Sequence, residues 1–182
     1  PYGIVKGFRD ICSFSRNSNY SPCASDITLD EKKKMLNLFE NLKLLAKHRY
    51  IYDCQMYPDQ LLRACPIIVE SKVKTVIDHC GLPLSAKDEE FTGWQSMLDK
   101  YAQSSVIFKL SGLEMNDNWD NRSRIIETII DKISIDKLCY GSNFPLIRKD
   151  WLSELSNLLE NIGLTSQQIE KIFIKNALDF CF

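Results

Sequence analysis

Short apolar, β-branched runs alternate along the chain with longer stretches whose apolar residues recur at helical spacing. Five runs have the length and composition of strands: residues 3–9, 50–56, 73–78, 105–111 and 137–140. A helical pattern follows each of them, such as the stripe that begins at Met35 and ends at Ala46. Strands that alternate with helices in this way predict an α/β protein with a parallel sheet.

Polar residues and glycine or proline mark where these elements begin and end. The segments Thr28–Glu31 and Thr165–Gln168 have the form of capping boxes and predict the starts of two helices. Gly163 is placed as a helix C-cap, and Pro66 is expected to interrupt or kink a helix over residues 58–71.

Length and composition predict a single domain over residues 1–182. The chain has 45% hydrophobic and 26% charged residues and a net charge of -1, which argues against a broad nucleic-acid surface. It contains no apolar run of the ~20 residues that span a bilayer and no signal-peptide pattern. Seven scattered cysteines without a C-x-x-C pair predict a reduced, cytoplasmic setting. The chain has no initiating methionine, and we expect it to be a partial, truncated protein.

Polar groups follow three of the predicted strands, where parallel α/β proteins place their ligand sites. These segments are Arg9–Asp10, Asp78–Pro83 and Gly141–Pro145. The chain has two histidines, His48 and His79, so it cannot complete a metal site built mainly on imidazole. The alternative for His79 is a structural histidine.

Several of these segments carry a family resemblance. Val76–Pro83 resembles the aspartate-histidine-x-glycine-x-proline motif of the amidohydrolase-related metal-dependent hydrolases. Within that family, the resemblance is closest to the branch of sugar lactonases and pyrone-dicarboxylate lactonases. Phe108–Leu113 is similar to its lysine-leucine-serine-glycine-leucine strand, and Cys139–Pro145 to its glycine-serine-aspartate-tryptophan-proline turn. Gly7–Arg9 and Lys171–Ala177 match an earlier strand end and the final helix.

The resemblance implies a (β/α)8 TIM barrel that opens a lactone of a sugar acid or dicarboxylate. His79 would be a metal ligand or catalytic contact, and position 143 would hold the general base. One divalent ion, zinc by preference, is implied for the complete family site, although some lactonases of this branch work without metal. The expected substrate-binding side chains are Arg9, Gln55, Lys109 and Trp119. Lys109 could instead have a purely structural role, and Trp119 could instead be an aromatic residue of the core or of the rim of the site.

Two departures from the family pattern change the prediction. The histidine-x-histidine pair of the family's first strand is absent, so the resemblance implies a partial barrel that lacks the first strands. Asn143 replaces the family's aspartate, and an amide cannot accept a proton at neutral pH, so we expect this chain to be inactive or weak. A degenerate, non-catalytic module for assembly or ligand binding is the alternative, and an open-sheet protein that mimics the motifs is a third possibility. Five strands cannot close a barrel, so we expect self-association or pairing with the missing amino-terminal portion.

Overall fold

Strands and helices alternate in the computed structural model, which describes residues 5–14, 25–28, 32–83, 88–113, 119–146 and 150–181. The strands are β1 (Gly7–Ile11), β2 (Ile51–Gln55), β3 (Lys74–Ile77), β4 (Ile107–Leu110) and β5 (Leu138–Tyr140). The helices are α1 (Lys32–Lys47), α2 (Pro58–Ser71), α3 (Asp88–Tyr101), α4 (Trp119–Lys132), α5 (Trp151–Asn161), α6 (Ser166–Glu170) and α7 (Asn176–Cys181). Short 3₁₀ turns at Asp78–Gly81 and Ile135–Lys137 flank β3 and β5, and a π segment, Lys171–Lys175, joins α6 to α7.

The described strands form one parallel sheet in the order β1-β2-β3-β4-β5. Arg9 is the register partner of Asp53, and Lys109 is the partner of Cys139. Each of the four connections contains a helix, and the strand order never reverses. A doubly wound sheet reverses its order at a switch point, whereas a (β/α)8 barrel adds each strand beside the last. The predicted α/β class is confirmed, and the winding is that of part of a (β/α)8 barrel.

The sheet's outer face carries the main hydrophobic core, because alternate strand residues point toward the helices. Trp94 and Leu98 from α3 and Leu61 from α2 are fully buried against this face. The strand residues of this core are Tyr52, Cys54, Ile77, Phe108, Leu110 and Leu138.

The inner face has a smaller apolar layer, over which the last helix packs. The four strand residues of this layer are Ile51, Val76, Ile107 and Cys139. Ala177, Phe180 and Cys181 of α7 pack against them, and the ammonium of Lys74 bonds to the carbonyl of Phe180 at 3.0 Å.

Asn176 fixes this last helix to the sheet. Its side-chain nitrogen donates to the carbonyl oxygens of Ile135 at 2.7 Å and Leu138 at 2.8 Å. The capping box predicted at Thr165–Gln168 is confirmed at the start of α6. Among the described residues, none of the helices combines the length and apolar character needed to cross a membrane.

Two local expectations differ from the structure, and a third lies outside the described residues. β1 runs Gly7–Ile11 rather than 3–9, so Arg9 lies inside the strand and not after it, and residues 1–4 are outside the described ranges. The capping box predicted at Thr28–Glu31 falls on residues 29–31, which are outside the described ranges; the hydroxyl of Thr28 donates to Asp26 at 2.6 Å. α2 continues through Pro66, because that residue is exposed and the carbonyl that loses its amide donor can bond to water.

Candidate active site

Two carboxylates and two cations meet on the inner face of the sheet, toward the carboxyl ends of the strands. Arg9 donates from Nε and Nη2 to Oδ2 of Asp53, at 2.8 and 2.7 Å. Lys109 Nζ lies 2.5 Å from Oδ1 of Asp78 and 3.1 Å from Oδ1 of Asp53. Arg9 Nε also lies 3.2 Å from Oδ2 of Asp78. Each cation therefore contacts both carboxylates, and we name these four residues the charge quartet.

Exposure differs greatly within the charge quartet. The side chain of Asp78 is 0% exposed, whereas that of Arg9 is 49% exposed. Lys109 and Asp53 are intermediate, at 20% and 22%. The quartet thus has one fully buried acid at its base and one half-exposed guanidinium at its rim.

The environment separates the pKa values of the two acids. Burial raises the pKa of Asp78, and the negative charge of Asp53 adds to this effect against the attraction of Lys109. Burial also acts to raise the pKa of Asp53, but Lys109 and Arg9 outweigh it, so the pKa of Asp53 is lowered. The pKa of Asp78 is therefore the higher of the two, and Asp78 takes up a proton before Asp53 does.

His79 follows Asp78 directly, in a turn with left-handed backbone. His79 has φ of 52° and Cys80 has φ of 56°. The ring nitrogen Nδ1 lies 2.9 Å from the hydroxyl of Ser111. A Cβ at position 112 would lie 2.6 Å from that nitrogen, so only glycine lets the ring pack there. Burial, with the charges of Lys109 and Arg9, lowers the pKa of His79 to about 4, so the imidazole is neutral at physiological pH.

Asn143 belongs to the turn after β5. Its backbone is also left-handed, with φ of 53°. Its amide nitrogen Nδ2 is buried and has no hydrogen-bond partner among the described residues. A buried donor without an acceptor costs about 1–3 kcal/mol, so an unsatisfied group of this kind calls for an explanation. The described residues supply no acceptor for the amide of Asn143.

The two turns are linked through β4. His79 contacts Ser111, and a Cβ at Gly141 would lie 3.0 Å from the Cβ of Ser111. The backbone amide of Gly141 donates to the carbonyl of Leu110 at 3.3 Å. Both turns follow carboxyl ends of parallel strands, so they lie at the same edge of the sheet.

The remaining predicted site residues are Gln55 and Trp119. Gln55 lies on β2 two residues after Asp53 and on the same face of the sheet. Gln55 is 4% exposed, and its amide nitrogen lies 3.4 Å from the hydroxyl of Ser13. Trp119 begins α4, but its side chain is not among those the structure describes. His48 precedes β2 whereas His79 follows β3, so the two histidines lie at opposite ends of the parallel sheet.

Sequence reasoning missed Asp53, the acid that both cations share. The available signal was its place in the strand Ile51–Gln55, where it is the charged residue among apolar neighbours. Alternation puts it on the same face as Ile51 and Gln55 and opposite to Tyr52. Its partners on β1 and β4 depend on strand register, which the sequence does not supply.

The described residues do not fit a divalent ion. They contain no cluster of three or more histidine, cysteine, aspartate or glutamate side chains placed to hold one. Asp53 and Asp78 are already paired with the two cations of the charge quartet. His79 remains as a single neutral donor.

A parallel sheet wound in one direction, with its polar groups gathered at the strand carboxyl ends, defines the (β/α)8-barrel class. A model of the amidohydrolase family matches residues 27–180, so the chain belongs to that family. The predicted resemblance is thereby confirmed. A comparison with curated proteins found no match.

Solved structures of amidohydrolases share the fold. An amidohydrolase from Burkholderia multivorans with bound HEPES has a TM-score of 0.74 at 18% identity, covering 97% of this chain and 64% of that one. A zinc-bound structure of an amidohydrolase from the same organism has a TM-score of 0.72 at 20% identity, with 97% and 63% covered. A candidate 2-pyrone-4,6-dicarboxylic acid hydrolase from Pseudomonas putida has a TM-score of 0.68 at 14% identity, with 97% and 63% covered. The chain thus spans less than two thirds of the length of these relatives.

Proposed function

We propose that this inner-face site binds a cyclic ester that carries a carboxylate, a lactone of a sugar acid or dicarboxylate, and serves its hydrolysis. In that reaction water adds to the ester carbonyl and the ring C–O bond breaks, which yields a hydroxy acid. The observation that carries the proposal is the charge quartet beside a neutral His79 at the strand carboxyl ends. The Pseudomonas putida relative, described as a candidate hydrolase of a pyrone dicarboxylate, supports this substrate class.

Arg9 is the group we assign to the substrate carboxylate. Its side chain is 49% exposed, and its contacts with Asp53 use Nε and Nη2. A half-exposed guanidinium fixed in this way can bind a carboxylate or hydroxyl groups through its remaining N–H groups. Asp53 and Asp78 hold it in place from below.

His79 and Asn143 are the groups we assign to the reacting ester and water. A neutral imidazole can donate or accept a hydrogen bond, but a pKa of about 4 makes it a weak proton acceptor. The buried Nδ2 of Asn143 can donate to a carbonyl oxygen or a water molecule. Because the donor set does not fit a metal ion, we route no step through one.

A non-catalytic module for ligand binding or assembly is the second candidate. Asn143 favours it, because an amide at this position cannot take the proton of an attacking water. Under this alternative the same site binds the cyclic ester without opening it, and only binding is retained.

Replacement of Arg9 by methionine tests the assigned substrate class. We expect Arg9→Met to weaken binding of a dicarboxylate lactone about 10- to 100-fold, because charge-assisted hydrogen bonds contribute about 1.5–3 kcal/mol. Isothermal titration calorimetry would measure the affinity. Lys43→Met, a change of another exposed cation on α1, is the matched control and should leave the affinity unchanged. Equal affinity of the natural chain and Arg9→Met, or no binding by either, contradicts the proposal.

We further propose that the edge of the sheet at β1 mediates self-association or pairing with the remainder of a barrel. Among the described strands β1 pairs with β2 alone, and Phe8 is 51% exposed. The edge strand of a sheet can serve as a template for another strand. Light scattering of the 182-residue chain should report dimers or larger species, and a monodisperse monomer at micromolar concentration would count against self-association.

A further inference from the structure

We infer that Lys109 is a positioning residue, which holds the turn that carries His79 and the turn that carries Asn143 in one arrangement. The inference rests on the proposed function only in treating these two turns as the site. Lys109 lies on β4, between the strands that precede the two turns. Its ammonium reaches toward β2 and β3, and its aliphatic stem lies over the start of the turn after β5.

Packing alone does not explain why a lysine occupies position 109 on the inner face of the sheet. The apolar layer on the inner face includes Ile51, Val76 and Ile107. Two residues further along each chain segment, toward the carboxyl ends of the strands, the same face carries Asp53, Asp78 and Lys109. Partly buried ion pairs are commonly no more stabilising than apolar residues of similar volume. The change from an apolar to an ionic layer at the mouth therefore points to a role in the site.

Lys109 anchors the His79 turn through the residue before it. The ammonium lies 2.5 Å from Oδ1 of the fully buried Asp78. The next two residues, His79 and Cys80, have left-handed backbone, which costs about 1–2 kcal/mol per residue for amino acids other than glycine. Cys80 Sγ lies 3.6 Å from the carbonyl oxygen of Lys109. These contacts tie the strained turn to β4.

Lys109 also contacts the other turn directly. A Cβ at Gly141 would lie 2.8 Å from both Cγ and Cδ of the lysine, so the stem packs flat against this glycine. Asn143 follows two residues later in the same turn. One side chain therefore contacts the starts of both site turns, across β3, β4 and β5.

The test compares the side-chain resonances of His79 and Asn143 by NMR at neutral pH in the natural chain and in Lys109→Met. We expect both sets of resonances to move together in Lys109→Met, because methionine keeps a stem of similar length but loses both ion pairs. Lys132→Met is the matched control, since Lys132 bonds to Asp99 on the protein surface at 2.6 Å, and should leave both sets in place. Lys109→Arg, which keeps the charge, should restore positions close to the natural ones.

A second variant covers the case in which Lys109→Met does not fold. Gly141→Ala keeps every charge but places a methyl group against the lysine stem. It should displace the stem and move the resonances of both His79 and Asn143. The inference is overturned if a folded Lys109→Met, or Gly141→Ala in its place, leaves the His79 resonances where the natural chain has them. Neither readout needs a substrate, so a failure of the lactone proposal would not affect the result.

Discussion

Asn143→Asp should open a lactone about 10²- to 10⁴-fold faster than the natural chain, the factor that a positioned general base contributes. The substituted position lies in the turn after β5, and its side-chain nitrogen is already buried without a hydrogen-bond partner in the part of the chain that the structure describes. A carboxylate there can take the proton of the attacking water, which the amide cannot do. Lys109, whose stem contacts Gly141 at the start of the same turn, is a cation that favours the ionised form of a new acid in this region.

The measurement is the rate of ester opening. This rate is monitored through the release of protons in weakly buffered solution, across a range of pH. The rate of Asn143→Asp should rise with pH as the new carboxylate loses its proton. Asn157→Asp makes the same chemical change at an exposed position of α5 and should not alter the rate. If Asn143→Asp binds the lactone as tightly as the natural chain and still does not open it, the non-catalytic module is the correct function.

Asp78→Ala should lower the free energy of unfolding by about 3–5 kcal/mol, the cost of removing one partner from a buried ion pair. The carboxylate of Asp78 is 0% exposed and contacts both Lys109 and Arg9. Without it, Lys109 keeps only Asp53, and part of the positive charge at the base of the quartet is uncompensated. The methyl group of alanine also leaves a small cavity.

Urea unfolding measured by circular dichroism would give this difference. Asp99→Ala is the matched control, because Asp99 is 60% exposed and bonds to Lys132 on the surface. Its loss should cost less than about 1 kcal/mol, as for other exposed ion pairs. Equal destabilisation by the two variants would show that the quartet adds nothing beyond an ordinary surface pair.

The elements of this fold follow from local chemistry, which explains why the sequence predicts them. Val73, Val76 and Ile77 make a β-branched run that suits a strand, and Thr165 with Gln168 satisfies helix-start amides within four residues. The motif after β3 also predicts the position of His79 at the carboxyl edge of the sheet. All of these signals act between residues that are close in sequence.

The partners of the charged groups follow from long-range geometry, and the sequence does not predict them. Asp53 lies 44 residues from Arg9 and 56 from Lys109 along the chain. Which cation meets which acid depends on register and on the packing of three strands. Thr28 shows the same limit: its hydroxyl accepts a hydrogen bond from Arg63, 35 residues away, which the sequence does not predict.

Because side chains alternate along each strand, the residues that pack the main core and the residues of the charge quartet lie on opposite faces of the sheet. In β2, Tyr52 and Cys54 belong to the main core, whereas Asp53 belongs to the charge quartet. The apolar contacts that hold the helices to the sheet therefore do not depend directly on the identity of the side chains at the mouth. Substitutions on the inner face can change the chemistry of the site while the outer-face core stays intact.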